Sequence, residues 1–225
     1  MSKLIHARFS ENGDSGWNGK AKPGDQTGNE VSITDFYVKP WTTNIRYFNP
    51  QVSKLVVEIA KKLANCGLVG YDQSGRNTLY QMLKKYNFNV DAYIASGELC
   101  ETDCSEFIYA CWCCVIPDMR SDANAPTTST MRNFYKNHGF IIYSDNEHLT
   151  DSGKLLDGDI LVSEGEHTVM TFDCSVGEIP IVNPVVENAL QVIARDVIAG
   201  NWGNGPDRKE KLYKEVQKRV NDMLK

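Results

Sequence analysis

At 225 residues and 25.3 kDa the chain has room for one full-sized core and a small second unit, and its 41% hydrophobic and 24% charged content is that of a folded globular protein. A net charge of −5 and a pI near 5.4 leave no basic footprint for nucleic acid. No apolar run approaches the ~20 residues of a membrane helix, and Met1–Phe9 carries His6 and Arg8 where a leader would be apolar, so neither a membrane span nor a signal peptide is expected.

Seven cysteines, five of them bunched at Cys100, Cys104, Cys111, Cys113 and Cys114, fit free thiols in a reducing compartment better than a disulfide framework. The first 30 residues are rich in Gly, Asn and Asp and read as loop and turns, with a strand over Glu30–Val38. After Pro50, the spacing of Val52, Leu55, Val56, Ile59 and Leu63 predicts an amphipathic helix stopped by Gly67. Leu79, Met82, Leu83 and Tyr86 predict a second. Phe107, Ile108, Cys111, Trp112 and Val115 predict a buried central helix running from Cys104 to the break at Pro117.

A short helix is expected over Thr128–His138. The pattern then turns to β-branched runs at Ile141–Tyr143, Ile160–Val162, His167–Phe172 and Ile179–Val182. Helices followed by an antiparallel sheet predict an α+β domain over residues 1–183. Helical spacing resumes at Leu190, Ile193, Ala194, Val197 and Ile198, and again from Leu212 to Leu224, which predicts a small all-α module over 184–225. Its 8 Lys or Arg against 6 Asp or Glu in residues 187–225 give +2, whereas residues 1–186, with 16 against 23, carry −7.

The stretch Thr102-Asp103-Cys104-Ser105-Glu106 holds the candidate chemistry. Asp103 with Glu106 three residues on outlines a capping box and puts Cys104 on the first helical position. The helix dipole and unpaired N–H groups there favour thiolate, so the residue is expected to alkylate well below pH 8, and the same N–H groups suit an oxyanion. Among four histidines, His167 is the best base because it opens a strand after the turn Ser163–Glu166. Asp173 shares its face by period 2 and is the candidate orienting group, although six residues span about 20 Å of straight strand. No metal or organic cofactor is called for.

Asp103-Cys104-Ser105, then Gly158-Asp159-Ile160-Leu161 and His167-Thr168-Val169, resemble the NlpC-type cell-wall peptidases, which are papain-like cysteine hydrolases. Gly24–Val31 and Gly70–Tyr80 are similar to catalytic domains of phage endolysins from Gram-positive hosts. The resemblance implies that Cys104 attacks a peptidoglycan amide, that His167 serves as base and then acid, and that Asp103, Ser105 and Tyr71 bind substrate. Glu106 stands where the family often has Gly, and no His follows His167 at the family's usual interval.

VIARDVIAGNWGNGPDRKEKL, running on to VQKRVNDML, resembles the muropeptide-binding repeat of certain pneumococcal phage lysozymes, which implies wall binding through Trp202 and Arg208. A unit of ~40 residues is at the margin of independent folding, so homo-oligomerisation through this module is a further expectation. The combined reading is a phage lysin that accumulates in the host cytoplasm and then acts on peptidoglycan. Endopeptidase action is favoured through Asp103, with muramoyl-alanine amidase and a non-catalytic wall-binding protein as the alternatives.

Overall fold

The computed structural model describes residues 2–8, 30–123, 125–151 and 154–174, together with Arg208, Glu210, Lys211, Tyr213 and Lys214. The chain divides into two compact units, Met1–Gly177 and Glu178–Lys225. In the first, β1 (Lys3–Ala7), β2 (Val31–Asp35) and β3 (Thr43–Arg46) precede the long helix α1 (Pro50–Asn65). There follow β4 (Val69–Tyr71), α2 (Thr78–Lys85), α3 (Val90–Ser96), β5 (Cys100–Thr102) and α4 (Cys104–Val115). The unit ends with α5 (Met131–Asn137), β6 (Ile141–Tyr143), β7 (Ile160–Ser163) and β8 (His167–Phe172).

Six strands form one antiparallel sheet in the order β2-β1-β8-β7-β3-β6, while β4 and β5 pair in parallel as a separate ribbon. The α+β class is as expected, but the simple succession of helices and then sheet is corrected. Three of the six strands come before α1. The segment read as loop contains β1, whose Leu4, Ile5, His6 and Ala7 are all buried. A strand covered on both faces loses the polar alternation that would announce it, which is why β1 and β3 carried no visible pattern. The helix α3 and the β4–β5 ribbon were likewise not foreseen, and residues 179–182 lie outside the described residues.

Period 2 sorts the sheet into two faces. Ile5, Ala7, Ile45, Ile160, Val162, Met170 and Phe172 join the main core with the helices, while Leu4, Leu161 and Val169 join a smaller cluster with Trp41, Leu149, Leu155 and Cys174. Helix α4 is buried from Cys104 through Cys113 and packs between α1, α2 and the strands β8 and β1. A helix that is apolar on every side is stable only inside a core. Its cysteines therefore serve as packing groups beyond the first turn, and Cys111 is fully buried.

Helix α1 starts as predicted, with Pro50 in its first turn and the Asn49 side chain accepting from the N–H groups of Gln51 and Val52. Leu55, counted in its apolar stripe, is 58% exposed instead. Gly158 has φ +85° and lies against α1, where a Cβ would come within 2.8 Å of Ser53 Cβ. Both the turn and the close approach need glycine just before β7.

Candidate active site

The site begins where β5 runs into α4. Asp103 has extended backbone and caps the helix, its Oδ1 accepting from Glu106 N at 2.7 Å, so Cys104 occupies the first helical position as expected. The capping box is only half formed. The Glu106 carboxyl turns inward, accepts from Tyr80 N at 2.9 Å and bonds the Thr102 hydroxyl. Burial, with the Asp103 charge as a smaller cause, pushes it up to about 8, so it is protonated at neutral pH and makes a neutral core contact.

Arg76, from the loop between β4 and α2, clamps this helix start. Its Nε donates to Asp103 Oδ2 at 2.5 Å, its Nη2 to Ser105 Oγ at 3.1 Å and Pro126 O at 3.2 Å, and its Nη1 to Ala125 O at 3.1 Å. Ser105 Oγ donates in turn to Asp103 Oδ1 at 2.8 Å. Two of the three side chains assigned to substrate by resemblance, Asp103 and Ser105, are thus engaged within the protein. A peptide ammonium seeking Asp103 would have to compete with a guanidinium already on it. Tyr71 is buried on β4, its hydroxyl accepting from Gln73 Nε2 at 3.2 Å. Burial, and secondarily the nearby Cys104, push its phenol up.

The backbone N–H groups of Thr168, Ser105 and Cys104 itself are near enough to act on the Cys104 thiol, each favouring the thiolate, and Thr168 is the neighbour of His167 in β8. The helix start and the strand start therefore lie close together here. The expectation of a resting thiolate is nevertheless corrected: burial, with the adjacent Asp103 charge, outweighs those N–H groups and pushes the thiol up to about 12. His167 is driven the other way, to about 4, by burial and then by the charges of Lys39 and Arg8. The Cys104 thiol and the His167 imidazole are both neutral at rest.

The other nitrogen of His167 is engaged by a group that the sequence did not single out. His167 Nε2 lies 3.0 Å from His6 Nδ1, and Tyr37 Oη lies 3.3 Å from the same His6 nitrogen. β1 pairs with β8 through Ile5 and Met170, so one further step puts His6 opposite Val169 and on the diagonal from His167. Trp41 stacks over His167 with centroids 6.4 Å apart and planes at 30°. His6 is one of the four histidines of the sequence, but its strand carries no polar alternation that would announce it. Asp173 does not take the orienting role. It lies beyond the far end of β8, exposed and in the left-handed region at φ 49°. Among the described residues no grouping of His, Cys, Asp and Glu has the make-up of a metal site.

The endolysin-like domain family matches residues 4–177, well over half of the chain. The chain belongs to that family. The CW_7 repeat matches residues 191–224, and an endolysin-like domain joined to such a repeat makes this a phage cell-wall lytic protein. Neither a curated protein nor a solved structure matches it. Of the two wall-binding candidates in the repeat, Trp202 lies outside the described residues, while Arg208 lies in a helical stretch with Glu210, Lys211, Tyr213 and Lys214, Lys214 Nζ donating to Glu210 Oε1 at 2.6 Å. No helix among the described residues is long and apolar enough to cross a membrane.

Proposed function

We propose that this endolysin-like domain is a papain-like cysteine hydrolase of the NlpC type that cleaves an amide of peptidoglycan. The observation that carries the reading is the convergence of two element starts: Cys104 opens a buried helix, and the backbone N–H of Thr168, the residue that follows His167, is near enough to act on its thiol. In this mechanism His167 takes the thiol proton as the sulfur attacks the carbonyl carbon. The proton then goes to the leaving amine, and water hydrolyses the thioester. Because the resting thiol is neutral, deprotonation belongs to the attack step. N–H groups at the helix start are placed to stabilise the oxyanion.

The scissile bond is the finer part of the proposal. Endopeptidase action requires Asp103 to hold a free peptide amine. With Arg76 on that carboxylate, muramoyl-alanine amidase action, which needs no such receptor, is the better supported of the two. The CW_7 repeat supports tethering to the wall, and self-association through it stays a proposal for a solution-mass measurement.

Purified Gram-positive walls digested with wild type, Cys104→Ala and His167→Ala test the reading, with released fragments identified by mass spectrometry and new amino termini labelled. We expect fragments from wild type, with at least a ~10³-fold loss in either variant. New alanine amino termini with intact lactyl ends indicate an amidase, and new termini within the stem indicate an endopeptidase. Wild type that binds walls yet releases no more than Cys104→Ala refutes the catalytic reading and leaves a binding protein. Alkylation near neutral pH does not discriminate, since a buried neutral thiol is slow in either case.

A further inference from the structure

We infer that His6, on the N-terminal strand β1, is the positioning residue for the His167 base, accepting its Nε2–H and holding the ring in the tautomer that leaves Nδ1 free for the Cys104 thiol. This rests on the Cys104–His167 reading above. It assigns the orienting group to a residue nearly a hundred positions upstream of the nucleophile, where neither strand pattern nor resemblance pointed.

The tautomers follow from the bonding around the pair. Two neutral imidazoles whose Nδ1 and Nε2 are 3.0 Å apart share one hydrogen, so one ring donates and the other accepts. If His6 Nδ1 donated, His167 Nε2 would be its acceptor and His167 Nδ1 would carry the proton, which leaves no basic nitrogen for a thiol. If His6 accepts, His167 Nδ1 is the free base, and the one lone pair of His6 Nδ1 is shared between His167 Nε2–H at 3.0 Å and the longer Tyr37 O–H contact at 3.3 Å. The second arrangement has a cost. It places the His6 proton on Nε2, which is buried and has no partner among the described residues. That cost is borne at a position where catalysis needs a fixed acceptor, as strain at functional sites often is.

The surroundings hold the pair in place. Trp41 stacks on His167, Tyr37 packs against both Trp41 and His6, and the segment carrying them is tied down by Phe36 N to Ser2 O and Thr42 N to Val162 O. When His167 takes the thiol proton, its Nε2–H still donates to His6, so the imidazolium forms without breaking a bond. The charged and titratable groups that act on the pair are Lys39 and Arg8 on His167, and Arg8 on His6, with the Tyr37 phenol and Cys104 thiol beside them; Lys39 is itself paired with Glu166 at 3.0 Å.

The test compares wild type with His6→Leu, His6→Asn and Tyr37→Phe on the same wall preparation, with Cys104→Ala alongside. Asn puts an amide oxygen close to the place of His6 Nδ1, whereas Leu fills the space without an acceptor. We expect His6→Leu to lower kcat by 10²-fold or more with KM within about twofold, and to move the acidic limb of the pH profile downward as the imidazolium loses its acceptor. His6→Asn should recover at least tenfold of that loss, and Tyr37→Phe should cost less than tenfold. Thermal unfolding of each variant identifies the folded fraction to which rates are normalised. If His6→Leu keeps wild-type kcat and pH limb per folded molecule, or Asn rescues no better than Leu, His6 is only a packing residue and the inference is overturned. That outcome, with Cys104→Ala inactive, leaves the hydrolase reading intact; wild type no better than Cys104→Ala overturns both.

Discussion

The two halves of the site are built by opposite means. At the start of α4, Asp103, Ser105 and Arg76 form a charged cluster with nearly every polar atom engaged, including two backbone carbonyls beyond the ion pair. At the start of β8, His167, His6, Tyr37 and Trp41 form an aromatic pocket held by two polar contacts that both fall on His6 Nδ1 and by ring stacking, with buried nitrogens left over on His6 and Trp41. The first half fixes Cys104 and, in the proposed mechanism, has no reason to change during a reaction. The second would accept a proton in each turnover, and the burial that suppresses both imidazole charges makes that proton costly to hold, so that it passes on readily to the leaving amine.

Acidification should break the second half first. Burial lowers His6 to about 3 and His167 to about 4 from an ordinary value of 6.5. Below pH 6.5 the unfolded chain therefore binds protons that the folded one refuses, and stability falls with pH until the folded values are reached. With two rings involved, the loss between pH 6.5 and 4 is on the order of 5 kcal/mol. Denaturation midpoints taken across that range check it. A midpoint flat from pH 6.5 to 4 would show that the pocket admits charge readily and that the contrast between the halves is unfounded.

Removing the cation breaks the first half. Arg76→Leu leaves the Asp103 carboxylate, whose side chain is 10% exposed, facing Ser105 and the helix N–H without its counter-charge. Such a loss typically costs about 3–5 kcal/mol, more than Asp103→Asn, which keeps a capping oxygen and strands a guanidinium that still donates to Ser105 Oγ and to the carbonyls of Ala125 and Pro126. Chemical denaturation of the two variants gives the ordering. An Arg76→Leu variant as stable as Asp103→Asn would mean that the cluster is an assembly of caps rather than an ion pair.

How much of this could be read from the sequence follows the same division. The helix half was legible: an Asp, a Cys and an apolar run ended by Pro117 specify the first position of a buried helix by local rules. What escaped was Arg76, since nothing local links a loop arginine to a cap 27 residues on. The imidazole half was legible only at His167, which begins a run of β-branched and aromatic residues after an evident turn. His6 was hidden because β1 is buried on both faces, and because its partner strand lies 161 residues away in sequence. Period 2 along β8 points to Asp173 as the orienting group, yet the length of a straight strand already tells against it.

Glu106 sharpens the comparison, because it belongs to the charged half but is itself kept neutral. Its carboxyl is raised from 4.5 to about 8 by burial, so between those values the folded chain holds a proton that the unfolded chain has lost, and stability falls as pH rises. This runs counter to the histidines, whose contribution rises to pH 6.5, and together the two place the stability maximum near pH 6 to 7. Glu106→Gln preserves the acceptor for Tyr80 N and puts an amide beside the Thr102 hydroxyl without a titrating group. In wild type the decline from pH 4.5 to 7.5 contributed by this carboxyl is ~3 kcal/mol, and Gln should abolish it, leaving a curve that rises through pH 6.5 and then stays level. Urea midpoints of the two proteins at pH 5.5, 6.5 and 7.5 suffice to see this. If both decline alike above pH 6.5, some other group sets the alkaline limb. A Gln variant less stable than wild type at every pH would instead mean that the carboxyl is ionised in the fold, with the helix start carrying two negative charges against the one guanidinium of Arg76.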